Sequence, residues 1–252
     1  MSSIANAFYF TSEEITELKK MAVPRHVAVI PDGNRRWARN QLTNIPEGHR
    51  EGADNLIRFI KAAKELGIQT VTFYLFSTEN WTRDQTEVQA LMWLLEQFLI
   101  EQQPVMIEQG IRFHTIGDLA VFPESTKDLI AECKAATSPG SAINLVAALN
   151  YGSRNEICRA FNKIMEDCDK GILKKNEITE KIVSSYLDTA PFGDPELLIR
   201  SSGEMRVSNF LLWQISYSEI YVVDVFWPDF KPAHLLKAIN FFQTRDRRLG
   251  GS

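Results

Sequence analysis

A chain of 252 residues with 44% hydrophobic composition carries enough apolar material for one full core, within the range of a single large α/β domain. A formal net charge of −4 argues against a nucleic-acid surface, so local clusters of arginine point to small anionic partners. Three cysteines, Cys133, Cys158 and Cys168, are an odd number without CxxC spacing, and no basic-then-apolar leader opens the chain. A reducing cytoplasm is the expected location. No apolar run approaches the ~20 residues that span a bilayer, so any membrane contact should be peripheral.

In chain order, the first ~20 residues read as a separate amphipathic helix, with the segment 1–22 as its bounds. Strands are predicted over 27–30, 70–76, 111–116, 143–149 and 197–200. Helices are predicted over 48–66, 85–109, 124–136, 154–170 and 177–187. This alternation is the βαβ rhythm of a mostly parallel sheet. In such sheets ligands bind beyond the carboxyl ends of strands, and Asp32, the run 77–83, the run 150–154 and the run 200–208 all fall there. No repeat, low-complexity tract or linker interrupts the chain, so one domain over 1–252 is expected, with 240–252 as a C-terminal tail.

Two segments are built to hold anions. HVAVIPDGNRRWAR, residues 26–39, is an apolar strand that breaks at Pro31 into an Asp-Gly-Asn turn and enters a helix, aiming terminal N–H groups at a ligand. The segment from Ile199 to Asp229 carries Arg200 and Arg206, whose guanidinium forks match phosphate oxygens, with Ser201, Ser202 and Ser208 beside them. Two cradles imply two phosphorylated groups. Taken alone, Asp32 reads equally as a helix cap, His49 equally as a local helix-start hydrogen bond, and the arginines as surface ion-pair partners.

The helix predicted over 85–109 is unusually apolar. Val88, Leu91, Met92, Leu94, Leu95, Phe98 and Leu99 make a stripe wider than one sheet contact needs, and Pro104 is expected to kink or end it. The stripe reads as ordinary core or as one wall of an apolar tunnel.

Six blocks, HVAVIPDGNRRWAR, GHREGA, FYLFSTENWTRDQTEV, LNYGSRNEI, the 199–229 segment and the terminal RRLGG, together resemble the cis-prenyltransferases, in family order over most of the chain. The resemblance implies a single-domain α/β fold with a mostly parallel central sheet flanked by helices around an apolar tunnel, distinct from a dinucleotide-binding fold. It implies Mg2+-dependent condensation of isopentenyl diphosphate with an allylic diphosphate to a Z-configured product, by a homodimer.

Residue by residue, the resemblance assigns catalysis to Asp32 and Asn80, and the metal to Asp32 and Glu219. Substrate binding falls to Gly33, Asn34, Arg35, Arg36, Trp37, His49, Phe76, Ser77, Thr78, Glu79, Trp81, Arg83, Arg200, Arg206 and Ser208. Arg248, Leu249 and Gly250 resemble a tail that crosses the dimer. The tunnel should be lined by Leu75, Met92, Leu95 and Leu145, with Leu75, where long-chain members carry a smaller residue, as the candidate gate. Long-chain members read Gly where this chain has Arg35, and Arg where it has Ile45. Branched, lavandulyl-type condensation and a non-catalytic subunit of a heteromer stay open. A nucleotide-dependent enzyme is disfavoured because neither GxxxxGK[ST] nor GxGxxG occurs, and a trans-prenyltransferase because DDxxD is absent.

Overall fold

A computed structural model describes residues 8–246. Its strands are β1 (His26–Ile30), β2 (Thr70–Ser77), β3 (Ile111–Ile116), β4 (Ile143–Tyr151), β5 (Leu197–Arg200) and β6 (Glu219–Val222). They form one all-parallel sheet in the order β3-β4-β2-β1-β5-β6. The helices are α1 (Ser12–Leu18), α2 (Asn34–Asn40), α3 (Ile45–Glu65), α4 (Gln85–Glu108), α5 (Glu124–Thr137), α6 (Ser153–Asp169), α7 (Glu180–Tyr186) and α8 (Pro232–Gln243).

The sheet is covered on both sides, which is why its strands read as nearly continuous apolar runs. Alternation sends Val27, Val29, Val71, Phe73, Leu145, Leu197 and Ile199 to one face, where α3 and α8 supply Phe59, Ile60, Leu235 and Ile239. The other face takes Ala28, Ile30, Val146, Ala148 and Leu198, packed under Phe210 and Leu211.

The five predicted strands are all present and parallel. Part of the chain was richer than its sequence pattern suggested. The stretch after Arg200 holds a sixth strand, β6, too short for alternation to announce, and the helix α8 follows it. Residues 240–243 therefore close α8 rather than begin a tail, and of the expected 1–22 helix the described residues are helical over Ser12–Leu18. Pro104 neither ends α4 nor breaks it. Its missing N–H faces Ile100, and both residues lie on the exposed side of the helix, where water can take the freed carbonyl.

Three contacts fix α3 against the sheet's carboxyl edge. Gly48 and Gly52 admit α2: a Cβ would stand 2.4 Å from the Asn34 carbonyl at the first and 2.7 Å from Asn34 Oδ1 at the second. Trp227 Nε1 donates to the Gly52 carbonyl at 2.8 Å, and its amide donates to the Asp32 carbonyl at 2.9 Å. Asn55, 1% exposed, donates from Nδ2 to the carbonyls of Trp227 (2.7 Å) and Phe230 (2.9 Å). Asn55→Leu strands the Phe230 carbonyl and leaves the Trp227 carbonyl with the Phe230 amide alone, so the expected loss of stability is about 1–3 kcal/mol. Urea denaturation measures it, and a variant as stable as the wild type would refute this role for Asn55.

Candidate active site

A cleft of about 840 Å3 opens at the carboxyl ends of the strands and runs inward beside α4. This is the upper part of the ~300–1,000 Å3 range of small-molecule cavities. Its mouth is polar and its far wall apolar.

At the mouth, the loop after β1 presents Asp32 and Gly33. Gly33 has φ +103°, and Phe226 and Ser202 pack so closely that a Cβ would meet them at 2.7 and 3.0 Å. Arg200, 4% exposed at the end of β5, donates from Nη2 to Asp32 Oδ2 at 2.8 Å and from Nη1 to Ser208 Oγ at 2.9 Å and to the Arg206 carbonyl. Those last two bonds cinch the 200–208 loop around one guanidinium. In that loop and just after it, Ser202, Ser208 and Asn209 adopt left-handed backbone, at φ 69°, 49° and 61°, a conformation most side chains avoid and one that clusters at functional sites.

Arg36 donates from Nη2 to Asp32 Oδ1 at 3.2 Å and to Ser202 Oγ at 2.5 Å, and its guanidinium lies over the Phe226 ring. Burial alone pushes the Asp32 carboxyl up, but the hydrogen bond and charge of Arg200, with Arg36 behind them, hold it below the ordinary aspartate range. Asp32 is thus a stable anion among cations.

Six arginines, Arg35, Arg36, Arg39, Arg83, Arg200 and Arg206, line the cleft against two lining carboxylates, Asp32 and Glu79. Glu87 on α4 ties two of them, Arg83 at 2.9 Å and Arg35 at 3.5 Å. His49 is held neutral: burial first, then the charges of Arg83 and Arg35 outweighing Glu87, lower it to about 4. Its Nε2, Asn34 Oδ1 and Arg200 Nε are buried without hydrogen-bond partners among the described residues. Three unsatisfied polar atoms on one cleft are what a polar ligand would relieve.

The apolar wall consists of Leu91, Met92, Leu94, Leu95 and Phe98 on α4, Ala53 and Leu56 on α3, and Leu75, Phe76 and Leu149 on the sheet. Leu75 owes its place to a β-bulge. The β2–β4 register skips it between Tyr74 and Phe76, so Tyr74, Leu75 and Phe76 all reach the cleft despite strand alternation.

The structure brings Asp32, Gly33, Asn34, Arg35, Arg36, His49, Leu75, Phe76, Ser77, Glu79, Asn80, Arg83, Met92, Leu95, Arg200, Arg206 and Ser208 to this cleft. It does not bring five others. Trp37 lies half-buried on α2, with a buried Nε1. Thr78 faces the turn at Gly152, where a Cβ would meet its Oγ1 at 2.7 Å. Trp81 stacks edgewise on Phe76 and Phe122 and donates to Asn150 Oδ1 at 2.8 Å, so it braces the wall from outside. Leu145 is 1% exposed in the closed core opposite Val71, four residues too early on β4, and Leu149 takes its place.

Glu219 opens β6 in register with Leu197, three residues and about 10 Å down the strand direction from Arg200. Its carboxylate accepts from Arg245 Nε at 3.2 Å. One chain therefore keeps Glu219 away from Asp32. Arg248, Leu249 and Gly250 lie outside the described residues. Tyr74, Asn209 and Trp227 line the cleft without having been expected as site residues, Arg39 lines it as a candidate to offset the arginine absent at Ile45, and Glu204 binds two of the cleft arginines.

Residues 30–250 match the family model Prenyltransf, described as "Putative undecaprenyl diphosphate synthase". The chain belongs to this isoprenyl transferase family. An isoprenyl transferase of Chlamydia muridarum is 45% identical over 92% of this chain and 94% of that protein, and one of Bacillus cereus is 45% identical over 94% and 92%. Among solved structures, lavandulyl diphosphate synthase from Lavandula x intermedia, in complex with dimethylallyl diphosphate, superposes with TM-score 0.88 at 35% identity, covering 91% of this chain and 99% of that one. A "probable undecaprenyl diphosphate synthase" from Campylobacter jejuni superposes with TM-score 0.77 at 29% identity, covering 92% and 100%. The chain is a prenyl transferase by family, acting in isoprenoid biosynthesis on diphosphate substrates.

Asp32 also bears on stability, contrary to the impression of an isolated loop carboxylate, because it neutralises the buried Arg200. Asp32→Asn should destabilise the ligand-free protein by about 1–3 kcal/mol at neutral pH. Because the folded-state pKa is lowered, the contribution is present above the ordinary aspartate value near ~3.9 and fades as pH falls through the folded value. The acid-side loss should be shallower in the variant, and inorganic phosphate should narrow the gap by replacing the missing anion. Thermal unfolding against pH, with and without phosphate, decides it; identical curves would exclude the pair as a structural element.

Proposed function

We propose that the protein condenses isopentenyl diphosphate with an allylic diphosphate to a Z-configured prenyl diphosphate, releasing diphosphate. The observation that carries this reading is the continuity of the cleft: an arginine-lined mouth opens directly into an apolar wall shared by β2, α3 and α4. Such a cavity suits a molecule with a highly charged head and a hydrocarbon tail.

In the reaction, the double bond of isopentenyl diphosphate attacks C1 of the allyl group as its C–O bond breaks. The departing diphosphate takes the electron pair, and a proton is lost from C2 of the isopentenyl unit. Arg36, with the loop N–H groups beyond Gly33, stabilises the charge collecting on the leaving group, which is the main electrostatic task. Arg200, Arg206 and Ser208 hold the isopentenyl diphosphate. Asn80 lines the cleft, and its Oδ1 accepts from the Ser77 amide at 3.0 Å, which fixes its side chain. Leu75, Phe76 and the α4 wall exclude water that would quench an allylic cation.

Asp32 is the residue suited to Mg2+. It is a hard carboxylate at a diphosphate mouth, and no cluster of three His, Cys, Asp or Glu side chains among the described residues would cage an ion without substrate oxygens. That donor set fits Mg2+, which is usually held by one or two carboxylates plus phosphates and water. When bound, the ion would neutralise diphosphate charge.

Branched condensation of two five-carbon units is the second reading, favoured by the likeness to the lavandulyl enzyme. Homodimer formation belongs to the same proposal: β6 is an edge strand, with Ile220 and Tyr217 exposed there.

Purified protein incubated with Mg2+, labelled isopentenyl diphosphate and dimethylallyl, geranyl or farnesyl diphosphate should yield a prenyl diphosphate with at least one starter. EDTA should stop the reaction and excess Mg2+ restore it. No product from any starter would refute the enzyme reading, and a branched product would select the second one.

Leu75 should limit product length, because its side chain fills cleft volume at the bulge and packed interiors do not yield such space freely. Leu75→Ala is expected to shift the product ladder towards longer chains, read by chromatography against standards. An unchanged ladder, or a wild type already making about eleven isoprene units, would place the limit deeper, near Met92 or Leu95.

A further inference from the structure

Glu204 carries no role in the reading above, yet it occupies a singular position. It lies in the 200–208 loop with its side chain 30% exposed. Its Oε1 accepts from Arg36 Nη1 at 2.9 Å, while its Oε2 is paired with Arg206 Nη1. Arg36 belongs to the first cradle and Arg206 to the second. With Asp32 bonded to both Arg36 and Arg200, the cleft contains one alternating chain, Arg200, Asp32, Arg36, Glu204, Arg206. The hydrogen bond and charge of Arg206, followed by Arg36, hold the Glu204 carboxyl below the ordinary glutamate range, so it is anionic at neutral pH.

A carboxylate that takes one N–H from each of two phosphate-type guanidiniums occupies donors that diphosphate oxygens would use. Partly exposed ion pairs of this kind are weak, so a more highly charged ligand displaces them. Asp32 differs, because its Arg200 partner is buried.

We propose that Glu204 is an internal competitor for diphosphate: it holds Arg36 and Arg206 while the cleft is empty, yields both when substrates arrive, and returns to help expel the released diphosphate. This rests on the diphosphate reading of the cleft. It makes Glu204 a positioning residue whose negative charge weakens anion binding in both cradles at once. A simple prop for the two arginines would have the opposite sign, since its removal would loosen them and weaken binding.

The test is calorimetric titration of inorganic diphosphate, in EDTA, into full-length wild type, Glu204→Gln and Glu204→Ala. Gln keeps the shape and one acceptor without the charge, and Ala removes both, while thermal unfolding confirms that each variant is folded. The expected result is about three- to tenfold tighter binding in both variants, as the loss of two exposed ion pairs allows. In turnover, KM for both substrates should fall together with kcat, because diphosphate leaves more slowly. Equal or weaker binding in the variants, with normal binding by the wild type, would overturn the competitor role alone. A wild type that binds neither inorganic nor isopentenyl diphosphate would overturn the diphosphate reading and this inference with it.

Discussion

The pairing of Arg200 with Asp32 is the constraint on which the cleft depends. A guanidinium that is 4% exposed at the end of an interior strand would be costly without an anion, and Asp32 supplies it from the loop after the neighbouring strand at 2.8 Å. The same guanidinium folds the 200–208 loop through Ser208 and the Arg206 carbonyl. The loop in turn places Ser202 and Glu204 on Arg36. Arg200 is thus held in place by Asp32 before any phosphate arrives, so little reorganisation of that guanidinium remains to be done at binding.

The apolar half follows from a different rule. In a parallel sheet every carboxyl end faces the same way, so residues far apart in sequence converge without any local signal of their meeting. α4 then closes the space. It is apolar on most of its circumference because one side meets the core through Leu99 and Met106 while another faces the cleft through Leu91, Met92 and Leu95.

The sequence made the sheet's parallel order and most of the polar mouth legible, for reasons particular residues display. Strand runs such as Val27, Ala28, Val29 and Ile30 are buried on both faces, and that doubled burial produces an unmistakable apolar block. Asp32, Arg200 and Ser208 were readable through the motif blocks that carry the family resemblance, since taken alone each has an ordinary structural reading. What escaped were matters of depth and direction. Leu145 and Leu149 share one sheet face, yet only the second reaches the cleft. Glu219 sits in a motif-dense segment, but β6 runs parallel to β5 and carries it to the wrong end of the strand. Trp81 was assigned to substrate by resemblance, and the structure sets it against Phe76, Phe122 and Asn150 instead of on the cleft lining. Glu204 gave no signal, since a lone glutamate between Gly203 and Met205 resembles any loop acid.

The close approach of α2 and α3 across Gly48 and Gly52 divides the tunnel into a fixed and an adjustable side. α3 is pinned by Asn55 and by Trp227, whose two bonds reach both Gly52 and the Asp32 loop, so this side moves only with the head-group site. Between α3 and α4, by contrast, the hydrogen bonds found among the described residues come from Lys64 to Gln109, at the far end of both helices. Along the hydrocarbon path, side-chain shape alone sets the gap between them. Evolution can therefore change what the tunnel admits by exchanging apolar side chains on α4, without disturbing the geometry that handles the diphosphates.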